Sequence, residues 1–397
     1  MSNLSTPAAQ LPWMRKRSPR STPRSGSPVD ENGEKKIPSR ILVLGSGNFG
    51  SCLADHLATS DLHVDVWLWS RDAATVKSLN EDHKNPKYLT EHVFPEWLRA
   101  VGPELPDKEF LGTMDMLLFS IPTPGLRKFL ESVNPLLDHD SLPLLAFVNK
   151  GIEAKTKALT LEIIADTLGP LAARQAIFIS GPSFAKEVVK RQPTTVSVVS
   201  ISEEHALKVS ELFHQPWFRC YPGTDPIGVE LAGALKNVYA IAAGVADGLG
   251  FENNTRAGLV TRSLAEMTRI GQAYGASPLT FLTLAGVGDL FLTCSSPNSR
   301  NYTVGYRLGQ GQKLDEIVKT LGSVAEGVST AEGLHEIIKE IGVEAPIAEA
   351  MYSVLYEGLS ARDAAEELMN FPAAKREIEV CAGTGHAAAI LSKLRTD

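Results

Sequence analysis

The chain divides by the period of its apolar positions. From Arg40 to about Asp225, short and nearly continuous apolar runs recur at Ile41–Leu44, Val64–Trp69, Met114–Ile121, Leu144–Val148, Ala176–Ser180 and Thr194–Val199. Most lack alternation, which predicts parallel strands covered on both faces. Helical stretches such as Pro124–Leu137 and Leu159–Leu168 separate several of them. The pattern is that of a doubly wound α/β sheet, whose ligands collect at the carboxyl ends of its strands. From about Pro226 the strand runs vanish, and helical periodicity dominates to about Met369. Predicted helices include Ile227–Leu249, Thr255–Ala273, Ser277–Thr293 and Lys313–Leu321. Pro226, Pro278 and Pro346 fall near helix starts, where a missing N–H costs little.

Length and charge narrow this picture. A chain of 397 residues is long for one core and suggests two folded domains. The expected division is 39–225 for the sheet domain and 226–397 for an all-α domain, after an extension over 1–38. That extension has no acidic residue before Asp30, carries Arg15, Lys16, Arg17, Arg20 and Arg24, and is punctuated by Pro and Ser. It has too little apolar surface to fold alone, so it reads as disordered. Its composition also suits an organelle-targeting peptide, although the prolines fit poorly with an amphipathic transit helix. The expected compartment is the cytoplasm, with a plastid or other organelle as the alternative. A net charge of −7 argues against a general affinity for nucleic acid. No apolar run in the sequence reaches the roughly 18 residues of a transmembrane segment. Cys52, Cys220, Cys294 and Cys381 are scattered, and the nine histidines form no ligand constellation, so no metal is expected.

The first strand run leads straight into chemistry. Ile41-Leu42-Val43-Leu44 is followed by Gly45-Ser46-Gly47-Asn48-Phe49-Gly50, and Ser51 to Thr59 reads as the opening of a helix. In this strand–turn–helix context G-x-G-x-x-G is a dinucleotide fingerprint. Gly45 allows the tight turn, Gly47 lets a pyrophosphate approach the backbone, and Gly50 lets helix and strand pack closely. The phosphates would sit on unpaired N–H groups at the helix start. The sheet domain is therefore expected to be a Rossmann domain.

Other candidates lie at strand ends and in the helical region. Lys236 shares a helical face with Ala232, Gly233, Ala240 and Ala243. Small residues on that face permit close approach of another element, and burial would lower the ammonium pKa toward the range useful for proton transfer. Periodicity does not separate this from a lysine snorkelling at the edge of an apolar helix. Asp289 and Thr293 fall on one helical face, and an aspartate in so apolar a run needs a partner. Lys236 is one candidate; a helix cap or a local salt bridge is the other. Ser299-Arg300-Asn301 offers a guanidinium fork and two short donors, a good receptor for a phosphate dianion, or else an ordinary surface arginine. Lys150 and the Gly181-Pro182-Ser183-Phe184-Ala185 turn stand at strand ends, where a doubly wound sheet builds its site. A solvated lysine and a simple turn are the plainer readings.

Taken together, these residues resemble the NAD(P)-dependent glycerol-3-phosphate dehydrogenases, most closely the bacterial type and its plastid relatives. The similarity runs from about Arg40 to about Pro372. It rests on the glycine fingerprint, Asn149-Lys150-Gly151-Ile152-Glu153, Gly181-Pro182-Ser183-Phe184-Ala185 and Leu231-Ala232-Gly233-Ala234-Leu235-Lys236-Asn237-Val238. It continues through Gly286-Val287-Gly288-Asp289-Leu290, Ser299-Arg300-Asn301 and Val324-Ala325-Glu326-Gly327-Val328. The resemblance implies reversible reduction of dihydroxyacetone phosphate to sn-glycerol 3-phosphate. It makes Lys236 the proton donor or acceptor, puts Lys150 against both substrate and cofactor, and adds Asp289 to the catalytic set. Gly181, Ser183, Asn237, Asp289, Thr293, Ser299, Arg300 and Asn301 would line the substrate, with Arg300 also near the cofactor. Asn48, Phe49, Ala185, Val324 and Glu326 would contact the dinucleotide. Separately, the large apolar helices of the second domain suit a homodimer, which is the expected assembly.

The residues that read the adenosine ribose should follow the fingerprint by about twenty positions. Here the strand ends Trp69-Ser70-Arg71-Asp72. Arg71 is suited to a 2′-phosphate, while Asp72 reaches a ribose hydroxyl if the register moves by one. The expectation is that NADPH is accepted, with NADH use open.

Overall fold

The structure is a computed structural model that describes residues 40–321 and 325–370. The basic extension with its targeting reading, and Val324, lie outside the described residues. Among the described residues eight strands form one sheet: β1 (Arg40–Leu44), β2 (Asp65–Trp69), β3 (Arg99–Val101), β4 (Met116–Phe119), β5 (Leu144–Phe147), β6 (Ile177–Ser180), β7 (Thr194–Val199) and β8 (Phe218–Gly223). Their order is β3-β2-β1-β4-β5-β6-β7-β8. The chain reverses its direction of growth between β1 and β4, which opens a crevice at the strand ends.

The sheet corrects the expectation in two respects. Strands β1 to β6 are parallel, but β7 runs antiparallel to β6, and β8 follows β7 in parallel. Two strands, β3 and β8, were not expected. β3 has only three residues, too few to show a period. β8 reads Phe-Arg-Cys-Tyr-Pro-Gly and is half exposed, as an edge strand should be; a proline there costs no ladder bond.

Alternate residues of each strand feed two separate cores. Ile41, Val43, Leu68, Met116 and Leu118 pack on one face with Leu53 and Leu57 of helix α1 (Asn48–Ala58). Leu42, Leu44, Leu117 and Phe119 pack on the other. Register puts Phe119, Phe147 and Phe178 side by side across β4, β5 and β6. Their rings stack at 4.6 and 5.9 Å between centroids.

A third core surrounds the helix Pro226–Gly248. Asp225 caps it through Gly228 N–H at 3.0 Å, and Pro226 occupies its first turn. Among the described residues this is the one helix long and apolar enough to cross a membrane, yet its apolar stretch is entirely buried within the protein. The helix Arg300–Gly309 crosses it at backbone contact. A Cβ on Gly244 would overlap the Tyr302 carbonyl, and one on Gly305 would overlap that of Ile241. The single helix expected over Ser277–Thr293 is instead a 3-10 turn at Pro278–Leu282, a π-turn at Leu284–Gly288 and a short α-helix, Asp289–Cys294. The Asp225 carboxylate accepts from Ser277 N–H and the Thr280 hydroxyl, which pins the first turn, and Thr283 is extended. The architecture is thus an N-terminal Rossmann-type domain followed by a helical one.

Candidate active site

The strand ends and the helical domain enclose a cavity of about 610 Å³. Its lining includes Gly47, Asn48 and Phe49 from the glycine loop, Lys150, Ser183 and Ala185 from strand ends, and Lys236, Asn237, Thr293, Ser299, Arg300, Asn301 and Glu326 from the helices.

Lys236, which lines the cavity, is 6 % exposed, and Asp289 is 2 % exposed. Lys236 Nζ donates to Asp289 Oδ1 at 2.9 Å and to Thr293 Oγ1 at 2.8 Å. Lys150 Nζ reaches the other carboxylate oxygen, Oδ2, at 2.7 Å and the Gly181 carbonyl at 3.2 Å. Two ammonium groups thus share one carboxylate. Burial lowers the Lys236 pKa, and Asp289 opposes that shift without reversing it. Burial alone would raise Asp289, but Lys150 and then Lys236 hold its carboxyl below the usual range. Lys236 is therefore not a snorkelling lysine, and Asp289 is its partner. The face beside Lys236 is closely approached: a Cβ on Gly233 would come into van der Waals contact with the stem of Lys150 and with Ser180 Oγ, each at 3.4 Å.

A second network holds the wall. Asn237 Nδ2 donates to the Lys150 carbonyl at 3.2 Å, while its Oδ1 accepts from Asn301 at 2.8 Å. Asn301 Oδ1 in turn accepts from Gly327 N–H at 2.9 Å. Ser299 caps its helix through Tyr302 N–H, which leaves Arg300 exposed in the first turn with its side chain at the cavity. Burial raises Glu326 above the usual carboxylate range, against the pull of Arg300 and Lys236. Ser183 Oγ donates to the Gly181 carbonyl at 3.0 Å.

The glycine loop passes a test of fit for a dinucleotide. Gly45 has φ +116°, and a Cβ on Gly50 would overlap the Gly45 carbonyl, so these two are required by the protein itself. A Cβ on Gly47 would meet no protein atom within 4 Å. Gly47 caps α1 without a side-chain bond, and the first turn has no acidic residue. Its backbone faces the cavity, and the N–H groups behind it suit a pyrophosphate.

Not every expected residue borders the cavity. Gly45 and Gly50 support the loop from behind, Gly181 meets the cavity through Lys150, and Asp289 through both Lys150 and Lys236. Arg71 follows β2, is exposed and lies outside the lining. Asp72 caps helix α2 (Ala73–Glu81) through Thr75 and pairs with Lys87 at 3.0 Å. Tyr88, Ser120, Asn149 and Lys186 do line it. Asn149 stands next to Lys150 in the strand-end motif, but nothing in the local pattern flags Tyr88 or Lys186. Tyr88 follows a buried Asn85 that donates to Ser46 O, a contact spanning 39 residues.

Residues 40–206 match the family model for the N-terminus of NAD-dependent glycerol-3-phosphate dehydrogenase, and residues 225–366 match that for its C-terminus. The glycerol-3-phosphate dehydrogenase (NAD(P)+) of Nitratidesulfovibrio vulgaris strain Hildenborough is 47% identical over 330 residues, covering 83% of this chain and 98% of the relative. That of Limosilactobacillus reuteri strain DSM 20016 is 41% identical over 335 residues, covering 84% and 98%. A crystal structure of glycerol-3-phosphate dehydrogenase from Coxiella burnetii superimposes with a TM-score of 0.76 at 34% identity, covering 83% of this chain and 98% of that one. The chain belongs to the NAD-dependent glycerol-3-phosphate dehydrogenase family, a family of oxidoreductases.

Proposed function

We propose that the protein interconverts dihydroxyacetone phosphate and sn-glycerol 3-phosphate, with Lys236 as the proton donor to the ketone oxygen and acceptor from the carbinol. The observation that carries this reading is the pair of cavity-lining lysines that share Asp289, in a cavity that the glycine loop and Arg300 also line. Asn48, Phe49, Ala185 and Glu326 would hold the cofactor with the glycine loop, and the bound nicotinamide would supply or take the hydride. The chain does the rest. Two ammonium groups against one carboxylate leave a net positive charge, which stabilises the oxygen as it gains negative charge during reduction. Asp289 and Thr293 fix the direction of the Lys236 N–H bonds, so little reorganisation is needed at the moment of proton transfer. Burial lowers the proton affinity of Lys236, and Lys150 across the carboxylate adds to that effect. Arg300, with Ser299 and Asn301, is suited to a phosphate dianion, which would anchor the substrate by the end that does not react.

The test is oxidation of NADPH and of NADH by the purified protein with dihydroxyacetone phosphate, beside unphosphorylated dihydroxyacetone. Turnover with the phosphorylated ketone alone is expected. Equal turnover of both ketones would remove the phosphate role from Arg300, and no turnover of either would overturn the reaction.

A further inference from the structure

The end of β2, where a doubly wound sheet reads the adenosine ribose, carries an acid that is already spoken for. Asp72 Oδ2 accepts from Thr75 N–H at 3.2 Å, from the Thr75 hydroxyl and from Lys87 Nζ at 3.0 Å. That oxygen both caps a helix and holds an ammonium, so the charge Asp72 would offer an adenosine ribose is already paired within the protein. We propose that Lys87 is a specificity-determining residue for the dinucleotide: it neutralises Asp72 and, with Arg71, forms a cationic seat for the 2′-phosphate of NADPH. The proposal rests on the reading of the glycine loop as the dinucleotide site.

The position of Lys87 is built into the site. Asn85 is fully buried, and its amide donates to Ser46 O at 2.9 Å and to Ser51 Oγ at 3.0 Å. Its Oδ1 accepts from the backbone N–H of Lys87 and of Tyr88, each at 3.0 Å. Ser46 Oγ donates to Ser70 Oγ at 2.7 Å, and Ser70 Oγ accepts from Asp72 N–H at 3.3 Å. Glycine loop, β2 end and the 85–88 turn therefore close into one ring. A backbone position held this firmly sets where the Lys87 ammonium acts, although its stem is solvent-exposed. Locally, Arg71 and Lys87 against Asp72 leave one positive charge. An adenosine 2′-phosphate matches it, and a bare ribose does not. Without Lys87 the Asp72 carboxylate would repel that phosphate and become available to ribose hydroxyls. If the Lys87–Asp72 pair were only an exposed surface salt bridge, it would have almost no effect on ligand choice.

The experiment compares 2′-AMP with 5′-AMP binding by titration calorimetry, and NADPH with NADH kcat/KM, in the full chain and in Lys87→Ala, Lys87→Glu and Lys87→Arg. In Lys87→Ala, 2′-AMP affinity should fall about tenfold while 5′-AMP affinity barely changes, the size of one charge-assisted contact to phosphate at a half-exposed position. The NADPH to NADH ratio should fall with it, further in Lys87→Glu, and return in Lys87→Arg. A 2′-AMP to 5′-AMP ratio in Lys87→Ala within about twofold of wild type would overturn the proposal. Mononucleotide binding needs no turnover, so a shifted ratio in a protein inert toward dihydroxyacetone phosphate would keep the seat and reject the reaction.

Discussion

Asp289 and Glu266 sit in the same helical domain, 2 % and 1 % exposed, and their carboxyl groups are driven in opposite directions. Burial raises both. Glu266 takes its hydrogen bonds from neutral donors, namely Ile347 and Ala348 N–H at 2.9 and 3.2 Å and the Tyr239 hydroxyl at 3.2 Å; burial outweighs these and the weaker pull of Arg269, and its pKa is pushed up to about 7. Asp289 meets two ammonium groups, and they outweigh the burial. A carboxyl that joins two helices can be satisfied by N–H groups and carry a proton near neutrality. One that is shared by two lysines stays ionised because charge is set against charge.

The largest effect expected from this contrast is in catalysis. Lys236→Ala should lower kcat by about 10²- to 10⁴-fold with dinucleotide affinity little changed, whereas Glu266→Gln should leave kcat within about twofold. Steady-state kinetics beside cofactor titration checks both, and an active Lys236→Ala protein would end the assignment of Lys236. The pH dependence has a definite sign. Lys236 must be an ammonium to donate, and its pKa lies below the usual 10.5. Ketone reduction should therefore fall, and alcohol oxidation rise, as pH passes through a value below 10.5.

A smaller effect is in stability. Glu266 titrates at about 7 in the folded chain against an ordinary value of 4.5. A raised pKa stabilises the fold fully only below the unfolded value and loses that contribution as pH rises through the folded one. Between pH 4.5 and 7 this amounts to about 3 kcal/mol. Glu266→Gln should flatten that fall in denaturant titrations at pH 5, 6, 7 and 8, and an unchanged slope would place the proton elsewhere. Asp289, with its lowered pKa, acts in the opposite sense and only below the usual aspartate range.

The smallest effect separates groups committed to the fold from groups committed to a ligand within a single motif. Gly50→Ala should cost about 1–3 kcal/mol of stability, because the new methyl meets the Gly45 carbonyl. Gly47→Ala should leave thermal stability unchanged and weaken dinucleotide binding. Equal melting temperatures for the two variants would contradict the division.

The sequence showed the sheet wherever a strand is apolar on both faces, and lost it where a strand is short or lies at the edge, as in β3 and β8. Lys236 was half legible: the small residues around it suit a packed surface, but its partner Asp289 lies 53 residues away and only the fold chooses between a buried and a snorkelling lysine. Asn85 was not, because its worth lies in an amide that reaches Ser46 of the glycine loop across 39 residues and Ser51 of α1 across 34, and an Asn-Pro pair on its own reads as a turn. The break at Thr283 escaped notice for a similar reason: the Asp225 carboxylate that pins the 3-10 turn lies 52 residues before Ser277.

The crossing of the Pro226–Gly248 and Arg300–Gly309 helices has a consequence for redesign. Their backbones touch at Gly244 and Gly305, so no side chain lies at the crossing that trimming would turn into extra room. The helix bearing Lys236 and the helix bearing Arg300 form one fixed jaw of the chamber. Widening it for a longer phosphorylated ketone has to come from the opposite jaw, at Ser120, Val148 and Ser183, where side chains on strand ends can be shortened one at a time.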